Sequence, residues 1–264
     1  MSLLTLGISG NTDRAGFAYD SDAEAFFTHY SITDNTIKNA INDVTLWFKN
    51  KGVWSKIFAA WPIVGGTAAL HKANLKTPGT RELTFYGGWT HSATGMLANG
   101  TTGYADTGVN ENTHLNLNDA HISIYIRTDA DGLYCDMGTT PAFSYELNIF
   151  SKFSNVFYPR VQATNSGTTN STNSKGLFIA NRVGGGEVRA QQAGSLKVIT
   201  NSSVQKANSN IFIGANNRTA MSDIVFYAPR EYAFATAGFG LTDQNMADIE
   251  TGIAAFQAAL SRTA

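Results

Sequence analysis

Ile37, Ile41, Val44 and Phe48 recur at spacings of four, three and four, which lays one apolar stripe along a helix. The stretch Ile32-Thr33-Asp34-Asn35 reads as its start, with Thr33 as the cap, Asp34 at the positive end and Ile32 placed to staple onto Ile37. Lys49 and Lys51 suit its end and Gly52 its stop. A second short helix is expected over residues 53–61, with Trp54, Phe58 and Trp61 on one side and Pro62 closing it. From about Thr67 the period changes to two. Ile122, Ile124 and Ile126 alternate with Ser123, Tyr125 and Arg127, and Phe143, Tyr145, Leu147 and Ile149 alternate with Ser144, Glu146 and Asn148. Further strands are expected at 81–86, 103–107, 155–162, 176–181, 196–200, 210–214, 223–227 and 232–237. Turns such as Asp131-Gly132 and Gly184-Gly185-Gly186 separate several of them. Residues 163–176, ATNSGTTNSTNSKG, read as a polar loop tip open to motion. At the end, Leu241-Thr242-Asp243-Gln244 repeats the staple, cap and acid of the first helix. Met246, Ile249, Ile253, Phe256 and Leu260 form its apolar stripe.

Many short strands with turn signals imply a sandwich rather than a parallel sheet with crossover helices. The expected class is therefore mainly β, two antiparallel sheets with an N-terminal helical segment and a C-terminal helix. The expected division is an arm at 1–20, a helical segment at 21–65 and a sandwich at 66–264 with its closing helix at 242–261.

Composition narrows the chemistry. Of the 264 residues, 43% are hydrophobic, enough for a sizeable core, and only 15% are charged. A formal net charge of −1 gives no bulk attraction for nucleic acid. The single cysteine, Cys135, excludes an internal disulfide and a cysteine-based zinc site, and is expected to be buried and inert. The opening MSLLTLGISGNTDR has no basic start before its apolar run, so it does not read as a secretion signal. No apolar stretch approaches the length that spans a bilayer. A reducing cytoplasm is the expected place of synthesis.

Several segments resemble, as an ordered set, the concanavalin A-like (laminin-G-like) jelly-roll proteins of tailed bacteriophages, notably of Bacteroidetes-type hosts. They are IVGGTAALHKANLK (63–76), FYGGWTHSATGMLANGTTGYADTGV (85–109), GLFIANR (176–182), NIFIGANN (210–217) and REYAFATAGFGLTDQN (230–245). The resemblance implies a jelly roll and a non-enzymatic place in the virion, in a head decoration or a tail or fibre, made in the host bacterial cytoplasm. It implies other virion proteins as partners and a homo-oligomer, trimers being common among phage appendages. It carries no catalytic motif. Residues 186–195 depart from the family's aromatic-Asn-Gly turn.

The alternative is a receptor module that binds a host-surface glycan. Sugar binding needs aromatic faces beside planar polar groups. Tyr125 and Arg127, on the polar side of an alternating strand, and Trp89, His91 and Tyr104, in glycine-rich segments, are the candidates. Trp54, Phe58 and Trp61 read instead as a packing or docking surface, burying against the protein's own jelly roll or a neighbouring copy.

A polysaccharide hydrolase is the distant alternative. It needs two acids spaced about the scissile bond, and Glu146, Glu187 and Glu231 each stand alone. Asp129-Ala130-Asp131-Gly132 lacks the spacing and closing acid of a calcium loop and reads as a hairpin turn. No cofactor is assigned. Because legume-type lectins of this fold hold metals, calcium stays open. None of His29, His71, His91, His114 and His121 lies four residues from another, and all read as structural.

Overall fold

A computed structural model describes residues 18–142, 145–164, 167–218 and 223–264. The expected arm at 1–20 lies outside the described residues up to residue 17, as do Phe143 and Ser144.

The chain opens with helices α1 (Ser21–Tyr30) and α2 (Asn35–Asn50), then runs through β1 (Ile57–Trp61), the short helix α3 (Ala68–His71), β2 (Thr84–Tyr86), β3 (Trp89–Ser92), β4 (Gly95–Ala98) and β5 (Tyr104–Asn110). The one-turn helix α4 (Glu111–His114) leads into β6 (Asp119–Ile126), β7 (Met137–Ala142), β8 (Tyr145–Phe153), β9 (Val156–Ala163) and β10 (Thr169–Asn170). Next come β11 (Gly176–Val183), β12 (Glu187–Gln192), β13 (Ser195–Thr200), β14 (Asn210–Ile213), β15 (Asn216–Arg218), β16 (Asp223–Val225) and β17 (Glu231–Gly238), before the closing helix α5 (Asp243–Ala259).

Among the described residues these strands form a jelly-roll sandwich of two sheets. One is ordered β13-β12-β11-β6-β17-β4-β3, with β1 also on β17; the other β10-β9-β8-β7-β14-β5-β2, with β15 and β16 attached. Pairing is antiparallel except where β15 meets β7 at Asn217 and Thr139. Alternate residues of each sheet meet in one apolar core. Ile122, Ile124 and Ile126 of β6 face Leu147 and Ile149 of β8 and Phe157 and Val161 of β9. A buried ion pair ties the layers: the Asp136 carboxylate accepts from Arg230 (2.7 and 2.9 Å), the Tyr232 hydroxyl (3.1 Å) and the Ser151 amide (2.9 Å). Those added bonds offset the cost of burying the charges.

A second apolar cluster lies on the far side of the first sheet. Ile41, Val44 and Phe48 of α2 and Met246, Ile249, Ile253 and Phe256 of α5 pack there against Tyr125, Leu177, Ile179 and Phe234. The molecule is thus three layers deep: helices, first sheet, second sheet. Thr242 caps α5 in a capping box, its hydroxyl accepting from the Asn245 amide and the Asn245 side chain accepting from the Thr242 amide. In α2 the cap is Asp34 rather than Thr33. Its carboxylate accepts from the amides of Thr36 (2.8 Å) and Ile37 (3.1 Å), which a charged acceptor does more strongly than a hydroxyl.

The helix expected over residues 53–61 is a correction. Only Trp54–Lys56 turns helically, as a 3-10 turn, and Ile57–Trp61 is a strand. It pairs antiparallel with β17, Ile57 opposite Gly238 and Trp61 opposite Ala235. The bare edge of β17 supplies a full ladder that a one-turn helix cannot match, and Ile57, Phe58 and Trp61 are good strand residues. Gly238 is required at this junction, because a Cβ there would stand 2.1 Å from the Lys56 carbonyl oxygen. The segment 21–65 is therefore not wholly helical, since its last strand belongs to the sheet.

Two loops also differ from expectation, and a third region closes as a hairpin. Asp131-Gly132 is no hairpin turn, because it lies between β6 and β7, which belong to opposite sheets. The tract at 163–176 carries β10 and buries Ser171 and Ser174. Residues 186–195 form the β12–β13 hairpin, closed by Ala193 (φ 47°) and Gly194 (φ 75°). Two positive φ angles are what a type I′ two-residue hairpin loop demands, and Ala-Gly supplies them.

Candidate functional site

Trp54, Phe58 and Trp61 go to different places. The Trp54 indole N–H donates to Asp22 (3.1 Å), and its ring lies under the Lys76 ammonium (4.2 Å) in the helical layer. Phe58 stacks on His114 (5.2 Å between centroids) beneath the Arg81 guanidinium. Trp61 is fully buried between the sheets and donates to the Arg81 carbonyl (2.9 Å). Trp54 thus packs with the helices, while Phe58 and Trp61 both turn toward the inter-sheet core, on a strand whose alternation is interrupted between Ile57 and Ala59.

Tyr125 and Arg127 need correction too. The side of β6 that carries Ser123 and Tyr125 is covered by the helical layer, and Tyr125 is 7% exposed. Its hydroxyl accepts from the Ala264 amide (3.0 Å). Arg127 pairs with Glu231 (3.3 Å) and donates to the Arg262 carbonyl. The chain's own C-terminal residues occupy both side chains.

Trp89 and His91 sit on β3, beside the inter-sheet core. The Trp89 indole N–H donates to the carbonyls of Tyr86 (3.1 Å) and Tyr104 (3.2 Å), bracing two strands of the other sheet. His91 meets His71, Nδ1 to Nδ1 at 2.9 Å. Burial, then the neighbouring His91, pushes the His71 imidazole down to about 3, and burial also lowers His91. Two neutral rings then share one N–H, as a structural pair.

Tyr104 alone of the five candidates stands on the outer face of the second sheet. The outward residues are those that alternate with the core positions Ala105, Ile213, Met137, Leu147 and Phe157. Registers place Tyr86 opposite Tyr104, Asp106 opposite Phe212, Phe212 opposite Gly138, Gly138 opposite Asn148, and Asn148 opposite Arg160. The face is aromatic at the β2 end and mixed toward β9, where Phe150 and Tyr158 lie beside Asn148 with the Arg160 guanidinium over both rings. Tyr104 stacks between Tyr86 (4.8 Å, planes 11° apart) and Phe212 (4.7 Å, 24°), and Tyr227 lies 6.5 Å away. Toward β9, Thr140 joins Asn148 (3.3 Å) and Asn216 (3.0 Å), and Glu146 pairs with Arg160. The Asn148 Oδ1 and Arg160 Nε atoms are buried without a hydrogen-bond partner.

Tyr86, Phe212 and Tyr227 were readable as candidates but for one step. Phe85 and Tyr86 are neighbours on an expected strand, so one of them had to face outward. Phe212 raises the same question beside Ile211 and Ile213.

The acids that stand alone in sequence are matched in space by arginines: Glu146 with Arg160, Glu187 with Arg189, Glu231 with Arg127. Asp129 accepts from the Ser174 amide (3.0 Å) and Lys152 (3.1 Å), which hold its carboxyl below the usual range. Asp131 accepts from the amides of Ser154 (2.7 Å) and Asn155 (3.2 Å). These donors take up oxygens that a calcium ion would need. Glu111, buried at one end of the second sheet, is pushed up to about 7 by burial, and its Oε2 accepts from the Ala207 amide (2.8 Å).

No family model and no curated protein sequence matches the chain. Among solved structures it is similar to domain 4 of AbnA, a GH43 extracellular arabinanase from Geobacillus stearothermophilus, in complex with arabinotriose. The TM-score is 0.48 at 9% identity, over 74% of this chain and 98% of that one.

Proposed function

We propose that this chain is a non-enzymatic recognition protein of a tailed-phage particle, and that the outer face of its second sheet meets a glycan on the host surface. The observation that carries the binding role is the asymmetry of the sandwich. Helices and the C-terminal residues cover the middle of one sheet, at β11, β6 and β17, while the β2–β5 end of the other leaves Tyr86 exposed and Tyr104, Asp106 and Asn210 half-buried around the stacked rings. That combination suits a ligand with apolar C–H faces and many hydroxyls. Glu146, Glu187 and Glu231 each lie against an arginine rather than a second acid, which supports binding over hydrolysis, since a glycosidase needs two carboxyl groups flanking one bond. The virion setting is supported by the sequence resemblance, with other virion proteins and further copies of this chain as partners.

A glycan array with the intact chain tests the binding role, and sugar-competable binding is expected. Reproducible cleavage of a polysaccharide, abolished by changing one acid to its amide, would overturn the non-enzymatic reading. Mass spectrometry of purified particles tests the setting, and absence of the chain from them removes it.

A further inference from the structure

Stacked rings spend their faces on one another. Tyr104 has Tyr86 on one face and Phe212 on the other, so it offers only its edge and hydroxyl outward. Tyr86 heads the stack on the edge strand β2 and is 45% exposed. One of its faces is therefore left for a ligand.

The polar groups around this ring have a matching character. Among the described residues, the hydroxyls of Tyr86, Tyr104 and Tyr227 have no hydrogen-bond partner in the protein. Asp106, one strand position from the stack, accepts from Asn210 (3.1 and 3.2 Å) and the Gly108 amide (2.8 Å), and its Oδ2 takes only one of these bonds. Among the described residues Asp106 has no ion-pair partner, and the Arg218 guanidinium is held by Asp223. A peptide strand has little to pair with here. The edge strand is three residues long, and Gly87 then packs so closely that a Cβ would lie 2.0 Å from the Thr102 carbonyl oxygen.

We propose that the Tyr86 end of this face is a binding site for a neutral saccharide. One sugar ring lays its C–H face on Tyr86, and its hydroxyls bond to the phenols of Tyr104 and Tyr227 and to the Asp106 carboxylate. The carboxylate, with no ion-pair partner among the described residues, selects against sialylated, sulfated and phosphorylated sugars. This inference depends on the glycan-binding reading above and narrows it to one site and one charge class.

The experiment prints neutral oligosaccharides and their sialylated or sulfated counterparts on one array. The strongest neutral binder is then titrated against the intact chain and the variants Tyr86→Ala, Tyr86→Phe and Asp106→Asn. Neutral sugars should bind in preference to anionic ones. Tyr86→Ala should weaken binding by about tenfold or more with the melting temperature little changed, and Tyr86→Phe, which keeps the ring face, should recover most of it. Asp106→Asn should narrow the gap between neutral and anionic sugars. Sugar binding that Tyr86→Ala leaves intact overturns the site and spares the glycan reading. Preference for anionic sugars overturns the charge class. No binding to any printed sugar overturns both.

Discussion

The two sheets obey the same pleat and end in different surroundings. In β6 and β17 nearly every residue is buried, because one face meets the opposite sheet and the other meets helices. In β5 burial alternates strictly, because only one face has a neighbour. The strand-like pattern of β6, isoleucine against Ser, Tyr and His, suggests a solvated face and yet has none. His121 and Ser123 are instead satisfied inside the protein, His121 by the Phe239 carbonyl (2.6 Å) and Thr236 (3.1 Å), Ser123 by Thr236 (2.6 Å). A polar side chain on a strand therefore reports a hydrogen-bonding need, not exposure.

Removing the cover should have the largest effect. A chain starting at residue 66 loses α1, α2 and β1, uncovers Leu177, Ile179 and Phe234, and strips β17 of a pairing partner. It is expected to aggregate or to lose its cooperative melt. A soluble truncation with an unchanged melting temperature would show the helices to be an appendage rather than part of the core. Point substitutions sharpen the same contrast. Phe234→Ala, on the covered face beneath Phe256, should cost about 3–5 kcal/mol, whereas Tyr86→Ala on the open face should cost about 1 kcal/mol or less. Equal losses in denaturant titrations would erase the distinction between the faces.

Local pattern made the sandwich and the flanking helices legible. The stripes of α2 and α5 and the Thr242 cap are sequence-local and appear as expected. Residues 53–61 were opaque, since Trp54, Phe58 and Trp61 at four and three fit a helix, and only the edge of a strand some 170 residues away decides otherwise. The site was legible in one residue, Tyr104. Tyr125 and Arg127 failed because what covers them, the helical layer and residues Arg262 and Ala264, is fixed by tertiary packing that no strand period reports.

Acid should act first on the covered sheet. Burial holds the His121 imidazole down to about 4, against about 6.5 for the unfolded chain, with Lys56 lowering it further and Asp119 opposing. The unfolded state thus takes the proton first as pH falls. From this residue stability is level above pH 6.5 and declines from there to about pH 4, by roughly 3 kcal/mol at most. Glu111, pushed up to about 7, takes its proton first in the folded state and opposes that decline as pH falls from about 7 to 4.5. His71 adds a loss of the same sign as His121. His121→Gln should flatten part of that decline in denaturant titrations between pH 7 and 4. An unaltered slope would mean that the open face, or the carboxylates, carries the acid sensitivity.

The smallest effect expected is at the start of α5. Thr242 satisfies the Asn245 amide (3.1 Å) and in return its own amide finds the Asn245 side chain (3.2 Å), two donors that a helix end otherwise leaves unmet. Thr242→Ala should cost about 1 kcal/mol, because water can replace part of this bonding at an exposed helix end. Its value lies in where the loss appears. The helix packs on α2 and, through Phe256, on Phe234, and the Trp47 indole N–H of α2 donates to the Asp248 carbonyl within α5 (2.7 Å). Fraying of the first turn should therefore speed hydrogen exchange in α5 and in the part of α2 it touches, while β5 and β14, across the core, keep their protection. If exchange rises equally in both sheets, the helical cover and the open sheet belong to one cooperative unit. A rise confined to the helices makes the cover separable in stability even though it shares a core with the sheet beneath it.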